Sequence, residues 1–360
     1  MSAGSQFHKL KVAEVRRETA DSVSLRFELP EHLRERFAFR AGQHLTLRHD
    51  LDGEDVRRNY SVCVAPDENE LRIAVKQIAG GAFSSFVNGT VKAGDVMEVM
   101  APHGSFTWKF DPDARRRYVG FAGGSGITPI LSLLKTALTV EPKSSFTLLY
   151  GNRSSVTIMF LEELAALKNR FLDRLEVYHF LEDEAEEIEL FNGRLDVAKT
   201  EEVLGALVDA SIVDAFFICG PGPMMDAIEQ GLLSRKVDPA KILIERFTVG
   251  RPTAHDLARA EVLEAKAAGL EMSVTLEGRR VKVSFDPAKG AILDNARAAG
   301  LPAPFACKAG VCATCRAKVV AGEVEMKTNY GLSPEELAEG YVLTCQAVPV
   351  SEGVAVNYDL

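Results

Sequence analysis

The sequence lacks any apolar run near the roughly 18 residues that a membrane-spanning helix requires. Its opening residues also lack the apolar core of a secretory signal, so a cytoplasmic chain without membrane attachment is expected. A basic excess is missing too. The formal net charge of −9 excludes a generic nucleic-acid binder, which needs a phosphate-neutralising surface. There is no internal repeat and no low-complexity tract. Cysteine is sparse, at six in 360 residues, and unevenly spread. Cys63 and Cys219 stand alone, whereas Cys307, Cys312, Cys315 and Cys345 crowd into the last sixty residues. Disulfides are disfavoured in the cytosol, which leaves metal ligation or redox chemistry for that group.

What remains is ordinary globular material, 46% apolar and 26% charged, too long for a single core. Short alternating stretches at 22–29, 43–48, 60–65 and 71–76, with Gly, Pro and Asp turns between them, predict an antiparallel β-barrel over residues 1–112. Beyond it, apolar strands alternate with helical stretches (158–168 and 201–208 among them). That pattern predicts a doubly wound parallel α/β unit over 113–247. Residues 248–270 are polar, without a strong apolar stripe, and read as a partly helical linker. A hairpin turning at Glu277–Gly278 opens an α+β unit over 271–360.

The spacing Cys307-x4-Cys312-x2-Cys315, with Cys345 far downstream, suits a 2Fe–2S rhomb, two thiolates to each iron. Small residues between the cysteines let backbone N–H groups approach sulfur. The alternative is a structural zinc, although zinc ligands usually come as repeated CxxC pairs or with histidine. With Ile292–Ala299, Pro304–Phe305 and Leu343–Ala347 around it, residues 271–349 resemble a plant-type ferredoxin of β-grasp-like fold. The resemblance implies that all four cysteines ligate the cluster.

Arg58-Asn59-Tyr60-Ser61 offers a cation, an aromatic wall and a donor, the needs of a flavin phosphate and ring. Gly80–Ser84 precedes a helix, where free N–H groups favour a pyrophosphate. Gly123-Gly124-Ser125-Gly126-Ile127-Thr128-Pro129 follows a strand and opens another helix, as a dinucleotide turn does. Arg153 with Ser154 or Ser155 suits a 2′-phosphate, which favours NADPH over NADH.

Together these motifs resemble the ferredoxin–NADP reductase superfamily. The resemblance implies that Arg58, Tyr60 and Ser61 bind FAD, with Val75, Lys76, Gly81, Phe83 and Ser84 on its ribityl and pyrophosphate. It implies that Gly123, Gly124, Ser125, Gly126, Thr128, Gly220 and Pro221 hold NADPH (or NADH), with Cys219 beside the nicotinamide. Glu245 and Phe247 match an element near the flavin, so Cys219, Thr128 and Glu245 are the candidate catalytic residues. His103, within the barrel-closing Pro102–Phe106, and Cys63 read as structural. The domain order, together with FTWKF, YGNRSSVTIMF and FFICGPGPMMD, resembles reductase components of bacterial oxygenases. Those of phenylacetyl-CoA epoxidases come first and those of steroid hydroxylases next. That resemblance implies hydride transfer from NAD(P)H to FAD, then single electrons through the cluster to a partner oxygenase. A stand-alone NAD(P)H oxidase remains the alternative.

Overall fold

A computed structural model describes residues 7–247 and 254–360. The first unit contains β1 (Phe7–Thr19), β2 (Ser22–Glu28), β3 (His44–Leu51), β4 (Glu54–Ser61), β5 (Leu71–Lys76), α1 (Ala82–Gly89) and β6 (Val96–His103). Its strands pair antiparallel in the order β4-β3-β6-β1-β2-β5. A bridge between Val62 and Ile73, with the Cys63 N–H donating to the Arg72 carbonyl, joins the two outer strands. The sheet thereby closes into the expected barrel. Leu10, Leu25, Leu45, Leu47, Val75 and Val99 fill its interior.

The second unit contains β7 (Arg117–Gly123), α2 (Ile127–Val140), β8 (Ser145–Asn152), α3 (Leu161–Arg170), β9 (Leu175–Leu181), α4 (Val197–Ala206), β10 (Ala215–Cys219), α5 (Gly222–Ser234) and β11 (Ile242–Glu245). The strands run parallel in the order β11-β10-β7-β8-β9, the predicted doubly wound arrangement. Apolar clusters cover both faces of this sheet, which is why β10 (AFFIC) can be wholly buried. Two helix starts differ from expectation. α4 begins at Val197 because the Asp196 carboxylate caps it, accepting from the Lys199 N–H. α3 begins only at Leu161 because Phe160 is left-handed, at φ 60°. Chain order reverses between β7 and β10, and open α/β sheets bind ligands at such a crevice.

The third unit contains α6 (Ala254–Ala267), β12 (Glu271–Leu276), β13 (Arg279–Ser284), α7 (Ile292–Ala298), β14 (Arg316–Ala321), β15 (Val324–Met326), α8 (Pro334–Ala338), β16 (Tyr341–Leu343), β17 (Ala347–Pro349) and β18 (Val354–Asn357). A five-stranded sheet, β13-β12-β18-β14-β16, is accompanied by the pair β15-β17. Glu277 and Gly278 both have positive φ, at 52° and 72°, as a tight hairpin turn demands. The linker reading needs revision, although its residues 248–253 lie outside the described residues. α6 is part of the third unit. Leu263 and Ala267, one turn apart, enter its core. Glu264 pairs with Lys327 at 2.8 Å, and Arg259 pairs with Glu325.

Candidate functional site

One cavity of about 460 Å³ opens where the three units meet. The barrel contributes Arg58, Tyr60 and Ser61 at the end of β4, and Lys76 at the end of β5. The α/β unit contributes Ser125, Thr128, Glu245 and Phe247, and the third unit contributes Cys307 and Cys312. The three sequence motifs, far apart in the chain, therefore border a single space.

On the barrel side, antiparallel pairing sets Tyr60 opposite Leu45 and Ser61 opposite His44. The Tyr60 ring lies 6.0 Å from that of Phe83. Ser61 Oγ is buried with no hydrogen-bond partner, so a polar edge of a ring in the cavity would satisfy it. That orphaned hydroxyl, beside an aromatic wall and the Arg58 guanidinium, fits a flavin. Arg58 holds its position by donating to the Arg57 carbonyl at 2.7 Å. Other expected contacts are placed differently. Val75 and Phe83 point their side chains into the barrel core, so only their backbone can face a ligand. The Ser84 hydroxyl closes its own turn, accepting from the Ile78 N–H and donating to the Gly81 carbonyl, both at 3.1 Å. A Cβ at Gly81 would stand 2.7 Å from that hydroxyl oxygen. Lys76 lies 3.5 Å from Asp21.

The glycine turn sits at the crevice between β7 and β10. A Cβ on Gly126 would come within 2.0 Å of the Cys219 carbonyl oxygen, and one on Gly123 within 2.5 Å of the Pro221 ring. Gly220 is as tight, against Met224 at 2.5 Å. These three glycines let the two turns pack on each other. Gly124, between them, combines a left-handed φ of 51° with open space, leaving its backbone accessible. Thr128 is buried and donates to the Ser125 carbonyl at 3.0 Å. Burial, with the charge of Glu245 second, pushes the Cys219 thiol well above the ordinary thiol range. It is therefore a neutral packing group. Further out, Arg153 is 61% exposed and lies 3.7 Å from Asp21 of the barrel. The Ser154 N–H donates to the Thr157 hydroxyl at 3.1 Å. Ser155 donates from its N–H and its hydroxyl to Glu184, both at 3.0 Å.

The four late cysteines are free of disulfides and lie as two neighbouring pairs, Cys307 with Cys312 and Cys315 with Cys345. The Cys312 contact draws Cys307 down to about 6, aided by the backbone N–H groups of Ala309, Val311 and Cys312. Cys345 is lowered in the same way, first by Cys315 and then by the Gly310 N–H and Gln346. Lys308 and Ala313 both adopt φ 53°, a strained conformation for residues bearing a Cβ. They turn the loop so that its amides converge on sulfur. Two thiol pairs ringed by N–H donors fit a two-iron cluster better than one tetrahedral zinc.

Several residues at this junction carried no recognisable signal in the sequence. The Arg57 guanidinium lies 4.1 Å over the Phe305 ring and donates to the Phe305 carbonyl at 3.2 Å, clamping the cluster loop to β4. His44 packs edge-on against His103, with ring centroids 4.3 Å apart. Gly104 must be glycine here. Its φ is 118°, and a Cβ would stand 2.9 Å from His44 Nδ1. Burial pushes Glu245 up to about 8, with Cys312 second, and drives His44 well below its ordinary value, with His103 second. Their 3.7 Å approach therefore joins two neutral groups at neutral pH and is not an ion pair.

Three family descriptions match the chain. They are an oxidoreductase FAD-binding domain over residues 9–108, an oxidoreductase NAD-binding domain over 121–230 and a 2Fe-2S iron-sulfur cluster binding domain over 274–350. The chain is 41% identical over 353 residues to one of the subunits of 1,2-phenylacetyl-CoA epoxidase from Escherichia coli K12, covering 98% of both proteins. It is 36% identical over 361 residues to the ferredoxin reductase component of 3-ketosteroid-9-alpha-monooxygenase from Rhodococcus rhodochrous, covering 99% of this chain and 98% of that protein. Among solved structures, phthalate dioxygenase reductase superposes with a TM-score of 0.57 at 24% identity, covering 98% of each chain. That last likeness concerns the fold alone.

Proposed function

The chain belongs to the family of FAD-, NAD- and 2Fe–2S-binding reductase components, and from that premise we propose that it feeds single electrons from NAD(P)H to a phenylacetyl-CoA epoxidase. The observation that carries this reading is the single cavity shared by the β4 motif, the glycine turn and two cluster thiols. Full-length similarity to the epoxidase protein favours that acceptor over a steroid hydroxylase, where identity is lower.

When bound, the flavin accepts a hydride as a pair of electrons and the cluster passes them on singly. The protein's part is binding, positioning and exclusion of water. Arg58 neutralises the flavin phosphate, Tyr60 walls the ring, and the unpartnered Ser61 hydroxyl meets a polar atom on the ring edge. Lys76 and the backbone of Val75, Gly81 and Phe83 flank the ribityl and pyrophosphate groups, while Ser84 shapes their turn. The Gly124 and Ser125 backbone faces the nucleotide, with Gly123, Gly126, Gly220 and Pro221 fixing the crevice walls. Thr128 and Cys219 shape the nicotinamide site without covalent chemistry, since the thiol stays neutral. Glu245 keeps its proton near neutral pH and adds no charge beside the ring, and Phe247 covers the cavity edge. Cys307, Cys312, Cys315 and Cys345 hold the irons.

Arg153 and Ser154 form the NADPH-selecting edge, although a 2′-phosphate must compete with Asp21 for Arg153. We place the protein in the cytoplasm, where cysteines serve as metal ligands more readily than as disulfides. Among the described residues no helix is long and apolar enough to cross a membrane.

Reconstitution tests the acceptor. NADPH-driven oxygenation of phenylacetyl-CoA by an epoxidase oxygenase component should require this chain and saturate with it. Turnover of a 3-ketosteroid hydroxylase instead would reassign the partner. Oxygen consumption unaffected by either component would make the protein a stand-alone oxidase.

A further inference from the structure

A line of buried and half-buried polar groups runs from the cavity wall, across the barrel, to a cluster thiol. Asn59 donates from Nδ2 to His44 Nε2 at 3.1 Å and accepts from the Thr46 hydroxyl at 2.8 Å. Thr46 Oγ1 lies 3.3 Å from His103 Nε2, and His103 Nε2 lies 3.1 Å from Thr314 Oγ1 in the cluster loop. Thr314 Oγ1 lies 3.1 Å from Cys312 Sγ.

Counting protons along this line decides what it can do. His103 Nδ1 is 3.0 Å from the Ala101 carbonyl, an acceptor, so Nδ1 carries the ring proton. With Nδ1 holding the proton, the neutral ring leaves Nε2 as an acceptor. Thr46 has committed its proton to Asn59. The Thr314 hydroxyl is then a single donor between two acceptors at equal distance, His103 Nε2 and Cys312 Sγ.

We propose that His103, on the barrel, is a positioning residue for the cluster: it competes with the Cys312 sulfur for the Thr314 hydroxyl proton and so lowers the cluster's reduction potential when the two units are docked. A hydrogen bond to a ligand sulfur stabilises the reduced, more negative cluster and raises its potential. Diverting that bond to an imidazole does the reverse. Arg57, clamped on Phe305, holds the loop where the competition can occur. The inference rests on the two-iron reading of the four cysteines.

The test measures the cluster midpoint potential by spectroelectrochemistry of the full chain, with iron and acid-labile sulfide assayed in every preparation. Thr314→Val removes the donor and should lower the potential. Thr314→Ser keeps a hydroxyl and should restore it. His103→Leu frees the hydroxyl for sulfur and should raise the potential, each change corresponding to about tenfold in the one-electron equilibrium, ~59 mV. The double variant should match Thr314→Val alone. A structural role in docking would move the potential equally with or without Thr314, and that result overturns the proposal, as does a fall on His103→Leu. Should His103→Leu fail to accumulate, His103→Gln, of similar volume, takes its place under the same criteria. Preparations without iron and sulfide overturn both this inference and the two-iron reading, whereas loaded clusters with unmoved potentials overturn the inference alone.

Discussion

Two loops of small residues carry this protein's chemistry, and they use small residues for opposite reasons. In the turn after β7, Gly123 and Gly126 are small because the protein itself presses on them, through Pro221 and the Cys219 carbonyl. In the loop from Cys307 to Cys315, the left-handed Gly310 and its small neighbours leave room for amides aimed at sulfur. One loop is shaped by packing against its neighbours, and the other presents its amides to sulfur. Replacements in the first should therefore cost stability, and replacements in the second should cost chemistry.

Cys312→Ser should have the largest effect. Reduction of a one-electron acceptor that draws on the cluster falls on the order of 100-fold or more, while NADPH still bleaches the flavin in stopped-flow traces. Equal loss of both activities would show that the loop shapes the fold as well. Gly126→Ala comes next, destabilising by about 2–3 kcal/mol in urea unfolding because its Cβ meets a carbonyl oxygen. Gly124→Ala, with open space around it, should cost only about 1–2 kcal/mol for its left-handed φ. Ser61→Ala tests the orphaned hydroxyl. Flavin affinity, measured by fluorescence quenching, should fall about tenfold with little change in stability. Arg153→Ala should lower kcat/KM for NADPH about fivefold and leave NADH nearly untouched, the small size reflecting an exposed and already paired guanidinium.

A separate test concerns pH. The Glu245 pKa is raised in the folded protein from 4.5 to about 8, so its contribution to stability is complete below pH 4.5 and is lost as pH rises towards 8. Glu245→Gln should flatten the decline of Tm across that window. A parallel decline in the variant would assign it to other groups.

Most of the fold was legible because its signals are local. Alternation marked the barrel strands, apolar runs marked the parallel sheet, and cysteine spacing marked the cluster loop. Helix boundaries were less legible where one residue set them, as Asp196 and Phe160 do. The packing of α6 on the third unit was missed because its buried stripe among the described residues is Leu263 and Ala267, too narrow to stand out among charges. At the site, motif residues reach the cavity, but Val75 and Phe83 turn inward because strand and helix periodicity commits them to the core. The contacts joining barrel to cluster loop, Arg57 on Phe305 and His103 on Thr314, lie 248 and 211 residues apart in sequence. No local pattern announces such pairs.

Anaerobic titration with NADPH, followed by absorption, tests the shared cavity most directly. The flavin takes two electrons and the cluster one, so bleaching of both chromophores should be complete at about 1.5 equivalents of NADPH. Bleaching that ends near one equivalent, with the cluster bands unchanged, would mean that electrons do not cross from ring to thiolates and would contradict the account.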